Sequence, residues 1–135
     1  MDKPSPSTLR VFSALVGLTS LAIFLQAITA GEFVSQKGRD GWINAHDVIA
    51  DVVAILALAT MIFAIVALRK FSRAILIGSI ALFVLVVIQT FLGHQITDNH
   101  QDWLIGIHVP LAFIIFGIAV WLPIQSVALR RAARS

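Results

Sequence analysis

Four long, mostly apolar runs, at about residues 9–30, 43–68, 74–96 and 103–123, leave this 135-residue chain little freedom of fold. Each reaches the ~20 residues a helix needs to cross a bilayer. Hydrocarbon supplies no partners for backbone N–H and C=O groups, so a segment of this kind crosses as a helix. Composition agrees, at 59% hydrophobic and 13% charged; soluble domains carry about half and about a quarter. The expected architecture is all-α: one integral membrane domain over residues 1–135, a four-helix bundle of two helical hairpins. The chain has no cysteine, which excludes disulfides, thiolate-bound metal, iron–sulfur clusters and covalent haem attachment.

The first run starts basic and leaves through Ala30-Gly31, as a secretory signal does. Its apolar stretch of about 20 residues exceeds the ~7–15 of a signal core, so it is read as a span. Lys3, Arg10, Arg69, Lys70, Arg73, Arg130, Arg131 and Arg134 all fall on one side of the four spans; only Lys37 and Arg39 fall on the other. Basic residues mark the cytoplasmic side. Both termini are therefore expected inside, with the 31–42 and 97–102 loops outside, in a multi-pass protein of the cell (inner) membrane. The net charge of +3 follows from this arrangement and suits an anionic inner leaflet; it carries no nucleic-acid reading. Pro4 and Pro6 are expected to keep the start irregular, and the fourth span to run to about Pro123. Trp42 and Trp103 belong at the outer interface, and Trp121 near the inner one.

The two hairpins repeat a sparse pattern. Gln26, Gly31, Trp42, His46, Ala50 and Ala57 in the first correspond to Gln89, Gly93, Trp103, His108, Ala112 and Ala119 in the second. His46 and His108 lie on spans that run in the same direction. At ~1.5 Å per residue both imidazoles fall about 6–8 Å below the outer tryptophans. Two histidines at one depth on parallel helices suit a flat macrocycle ligated from both faces. The alanines four and eleven residues further on share the histidine's helical face and are expected to leave room along the ring. These residues point to one non-covalent haem b, its iron held by His46 and His108. With both axial positions filled, such a haem favours electron transfer over O2 binding.

The remaining polar residues are assigned around that centre. Ala50, Ala112, Gln26 and Gln89 are expected to flank the cofactor, the two glutamines hydrogen-bonding across the bundle. Arg39 and Lys37 are the natural partners of haem propionates at the outer surface. His94 is a further possible ligand, at a haem edge or a second site, and His100 a solvated loop residue. Four outer histidines also admit a zinc or copper site. Asp47, in the first turn of its span, complements the helix dipole. Asp51 lies about 13 Å below Trp42 and shares a face with Asp47; it is read either as pairing with Arg39, Lys37 or His94, or as a proton or quinol contact. Pro110 removes one backbone bond and helps aim His108.

The segment Gln89-Thr-Phe-Leu-Gly93, then Trp103, then His108-Val-Pro-Leu-Ala112 with Phe116-Gly117, resembles the third and fourth helices of one half of haem A synthase. Gln26 to Gly31, Trp42 and His46-x3-Ala50 resemble its first and second helices. The likeness covers roughly residues 9–125. It implies a four-helix half in which the second-helix and fourth-helix histidines, here His46 and His108, together ligate a b-type haem near the outer face. The family's catalytic half has a glutamate three residues before its second-helix histidine, where this chain has Ile43, and the outer cysteine pair of many members is missing. The expectation is a stand-alone haem b protein, monomeric or paired with itself, that holds a haem without modifying it.

Two function classes fit these residues. One is a membrane b-type cytochrome exchanging electrons with quinol or a redox partner. The other is a cofactor-free membrane subunit or small carrier whose histidines pack, sense pH or bind a transition metal.

Overall fold

The computed structural model describes residues 3–35 and 40–134, and every element within them is helical: α1 (Pro6–Ser35), α2 (Asp40–Phe63), α3 (Arg73–Thr97) and α4 (Ile105–Arg134). Each is long and apolar enough to cross a membrane. The helix ends differ from expectation where proline is concerned. Ser5 Oγ accepts the Thr8 N–H at 3.1 Å, and Pro6 opens α1. A first-turn N–H has no helical partner anyway, so proline is favoured there and does not keep the start irregular. At the other end α4 runs through both Pro110 and Pro123 to Arg134. Each proline removes one hydrogen bond, and the bonds on either side carry the helix onward.

The connections are short. α2 continues through a π-helical turn, Ala64–Leu68, and the chain then reverses over Arg69–Phe71. Ser72 caps α3 in extended conformation, accepting the Ile75 N–H at 3.2 Å. Between α3 and α4, His100 takes up the left-handed conformation (φ 55°) before a 3-10 turn at Asp102–Leu104. Short links of this kind make successive helices antiparallel neighbours. The helices form a ring in which α1 packs on α2 and α4, and α3 packs on the same two, leaving α2 and α4 on a diagonal.

One end of the bundle carries Trp42 and Trp103; the other carries Arg10, Arg69, Lys70, Arg73 and Arg130. The arginine half is solid. Phe12, Leu68, Ile75, Leu82 and Leu122 are fully buried, and Phe12 stacks on Phe63 with centroids 6.5 Å apart. Hydroxyls tie the helices together here: Ser13 Oγ meets Ser126 Oγ at 2.8 Å, and Ser20 Oγ donates to the Ala119 carbonyl at 2.9 Å. Gly78 lets the Trp121 ring lie against α3, where a Cβ would come 2.6 Å from Cζ3.

Toward the tryptophan end the core gives out. Ile23, Val53, Val86 and Ile115, one buried residue from each helix, make the last packed layer. Beyond it Ala27, Ala30, Ala50, Gly93 and Ala112 replace large side chains and the bundle opens. The outer faces carry exposed Leu21, Val48, Ile77 and Phe113, an apolar exterior of a kind that water-soluble monomers do not present.

Candidate functional site

The opening is a cavity of about 460 Å³ walled by all four helices, within the range of about 300–1,000 Å³ usual for small-molecule and cofactor sites. Its floor is the Ile23, Val53, Val86, Ile115 layer. His46 of α2 and His108 of α4 both line it, from diagonally opposed helices. Gln26, Gln89, Ala50 and Ala112 line it too. Six of the sequence-derived positions therefore share one chamber.

His46 is held on its far side. Its Nδ1 lies 3.2 Å from the Gln26 carbonyl oxygen and 3.0 Å from Thr29 Oγ1. A carbonyl only accepts, so Nδ1 carries the proton and donates to it, which leaves the Nε2 lone pair free as a ligand. Thr29 Oγ1 in turn sits 3.0 Å from the same carbonyl and donates back into α1. The Phe33 ring meets the imidazole edge-on, centroids 5.3 Å apart at 78°. A ring nitrogen fixed by a backbone carbonyl is how ligating histidines are generally oriented. Thr29 and Phe33 are absent from the sequence-derived set. Their one sequence signal is their place on the α1 turns that follow Gln26.

His108 is set differently. Its ring approaches the Gln89 backbone as His46 approaches that of Gln26, but its Nδ1 closes no hydrogen bond of regular geometry, while Gln89 Nε2 donates to the His108 backbone carbonyl at 3.0 Å. Gly93 faces the ring, and a Cβ there would stand 3.4 Å from His108 Cε1. The repeat thus reaches the histidine–glutamine contact and stops at the glycines: Gly31, the counterpart of Gly93, is exposed with nothing against it.

Three buried polar atoms of cavity residues have no partner: Gln26 Oε1, Gln89 Oε1 and His108 Nδ1. Buried polar groups are nearly always satisfied, so the two glutamine oxygens are acceptors open to a donor in the chamber; Ser79 Oγ, in the packed half, is unpartnered as well.

Several expectations need correction. Ala57 and Ala119 do not line the cavity; both are fully buried in the packed half below it. Eleven residues is about 16 Å along a helix, past the cavity floor. Asp47 and Asp51 do not share surroundings, since Asp47 lines the cavity and Asp51 is exposed on the outside of α2. Asp51 has no hydrogen-bond or ion-pair partner among the described residues. His94 is exposed at the cavity mouth, and His100 is exposed in the α3–α4 turn. Among the described residues no three His, Asp or Glu side chains converge as a metal site, so the four histidines do not gather. Arg39 and Lys37 lie outside the described residues.

No family model, curated protein or solved structure matches the chain.

Proposed function

We propose that this chain is a four-span membrane protein that holds one haem b between His46 and His108, for one-electron exchange with quinol or a protein partner. Basic residues at the terminal end and tryptophans at the other put the haem near the outer leaflet, with both termini cytoplasmic. The observation that carries the reading is the pair of imidazoles on diagonal helices facing one chamber, whose wall carries Ala50, Ala112 and Gly93 among larger apolar residues and whose two glutamine Oε1 atoms lack partners.

Bound haem supplies a reversible one-electron change at iron. The chain's own residues set the conditions for it. His46 presents Nε2 because Gln26 and Thr29 hold Nδ1, and His108 faces it from α4. Ala50 and Ala112 keep the walls clear along the ring. The Ile23 layer closes the floor of the chamber, and apolar side chains line most of its wall. The resemblance to one half of haem A synthase belongs to this same reading; Ile43, in place of that family's glutamate, favours holding a haem over modifying it.

Protein purified from haem-replete cells is expected to show the sharp visible bands of reduced bis-histidine haem b. A colourless preparation that also takes up no added hemin overturns the proposal. Ala112→Phe is expected to fill the chamber from α4 and weaken hemin uptake on the order of tenfold or more, about 1.4 kcal/mol per decade, with helical circular dichroism unchanged. Thr29→Val removes one of two groups on His46 Nδ1. It is expected to weaken hemin retention by about tenfold, the low end for a ligand's outer partner, read by transfer of hemin to an apo-globin acceptor.

A further inference from the structure

The seam between α1 and α4 closes at matching turns of the two helices. Ser13 meets Ser126, and Ser20 meets the Ala119 carbonyl. Two turns further toward the tryptophan end, the same two lines of residues reach Ala27 and Ala112. Small residues at such a seam ordinarily let two helices touch. Here the seam opens instead: both alanines line the chamber, and Ala27 is exposed. Gly31, one turn beyond Ala27, faces open space.

The flanking side chains show where the opening leads. Phe24 on α1, with Val109, Phe113 and Phe116 on α4, line the chamber and are exposed as well. Phe113 is 75% exposed, so its ring reaches the outside of the bundle. At the same level His46 ties α2 to Gln26 and Thr29 of α1, and Gln89 ties α3 to His108 of α4. Along α2 and α3 the one exposed lining residue is His94, at the mouth. The chamber therefore has two openings of opposite chemistry. The mouth carries Asp47 and His94, whereas the gap between α1 and α4 is bordered by apolar side chains.

Resting on the haem reading above, we infer that haem reaches the chamber from the bilayer, sliding edgewise through the gap between α1 and α4. Haem is an amphiphile, a flat apolar ring with two carboxylates along one edge. In a bilayer the ring lies among acyl chains and the carboxylates at the polar surface. The histidines lie near that boundary, about 6–8 Å below the outer tryptophans. Lateral entry keeps each part of the molecule at its own depth. The ring does not pass through water and the carboxylates do not pass through hydrocarbon, both of which are costly. Entry by the mouth would lift the ring out of lipid and past Asp47 and His94.

The test separates rate from affinity. Full-length apo-protein in lipid vesicles is mixed with hemin-loaded vesicles, and uptake is followed by growth of the six-coordinate absorption bands. Ala27→Trp is expected to obstruct the gap and slow uptake by about tenfold or more, equivalent to about 1.4 kcal/mol on the barrier. Release crosses the same gap, so it slows by the same factor and the affinity stays unchanged. Phe113→Ala widens the gap from α4 and is expected to speed uptake several-fold. Val84→Trp, an equally large residue on the exposed face of α3, is expected to keep the wild-type rate. Wild-type rates in both gap variants would overturn the inference and place entry at the polar mouth. Equal slowing by Val84→Trp, or affinity lost without a change of uptake rate, would overturn it too. Wild-type protein that binds no hemin overturns the haem reading itself, and the inference with it.

Discussion

His46→Ala and His108→Ala are each expected to abolish the six-coordinate haem spectrum while leaving the four-helix bundle folded. Both rings are half-buried and border the cavity, above the packed layer of Ile23, Val53, Val86 and Ile115. Removing either leaves the core of Phe12, Leu68, Leu82 and Leu122 intact. Hemin retention should fall by on the order of 100-fold or more, beyond the ~10–100-fold that an outer partner controls. Visible spectra of the reduced proteins, normalised to helix content by circular dichroism, read the result. Each alanine leaves a gap the shape of an imidazole beside the cavity, so added imidazole should restore the six-coordinate bands. If both variants keep the wild-type spectrum, neither histidine is a ligand. If His46→Ala alone keeps it, the second ligand lies elsewhere, and His94 at the cavity mouth is the next to replace.

The largest expected stability loss lies at the opposite end of the bundle. Gly78→Ala would place a Cβ 2.6 Å from Trp121 Cζ3 and 3.0 Å from Leu122 Cδ2. The first contact is with a rigid ring and the second with a fully buried leucine, so α3 and α4 must part or Trp121 must swing outward. Overpacking of this kind costs about 1–3 kcal/mol. The measurement is a drop in unfolding midpoint in detergent. Trp121→Ala in the same chain should recover part of the loss, because it removes the nearer clash. Equal midpoints for Gly78→Ala and wild type would show that the two helices separate freely there. Gly31→Ala, by contrast, meets nothing within 4 Å and, lying within α1, is expected to keep or raise the midpoint by the ~0.5–1 kcal/mol helix preference of alanine.

Much of the site was legible because a repeat preserves position. Gln26, His46 and Ala50, with Gln89, His108 and Ala112, share one chamber since the matching turns of two antiparallel hairpins fall at one depth. The same logic failed at Ala57 and Ala119. Face is periodic along a helix, but the cavity is finite, and its floor comes between the two alanines of each stripe. Asp47 and Asp51 divided for a related reason. A spacing of four puts both on one side of α2, yet the boundary between interior and exterior runs between them, and only neighbouring helices fix that boundary. Thr29 was invisible because a threonine near the end of a span is ordinary until a histidine of the next helix meets it at 3.0 Å.

The sequence by itself determined the number of helices, their antiparallel order and the end at which the histidines lie. Those features follow from local physics: hydrocarbon compels helix, short links compel reversal, and a fixed rise per residue converts spacing into depth. Only the tertiary structure decided that α2 and α4 stand on a diagonal, that the bundle is solid at its arginine end and hollow at the other, and that Asp51 faces outward. Those depend on how side-chain volumes from four helices sum at each level. That sum is a property of the assembled bundle and is carried by no single segment.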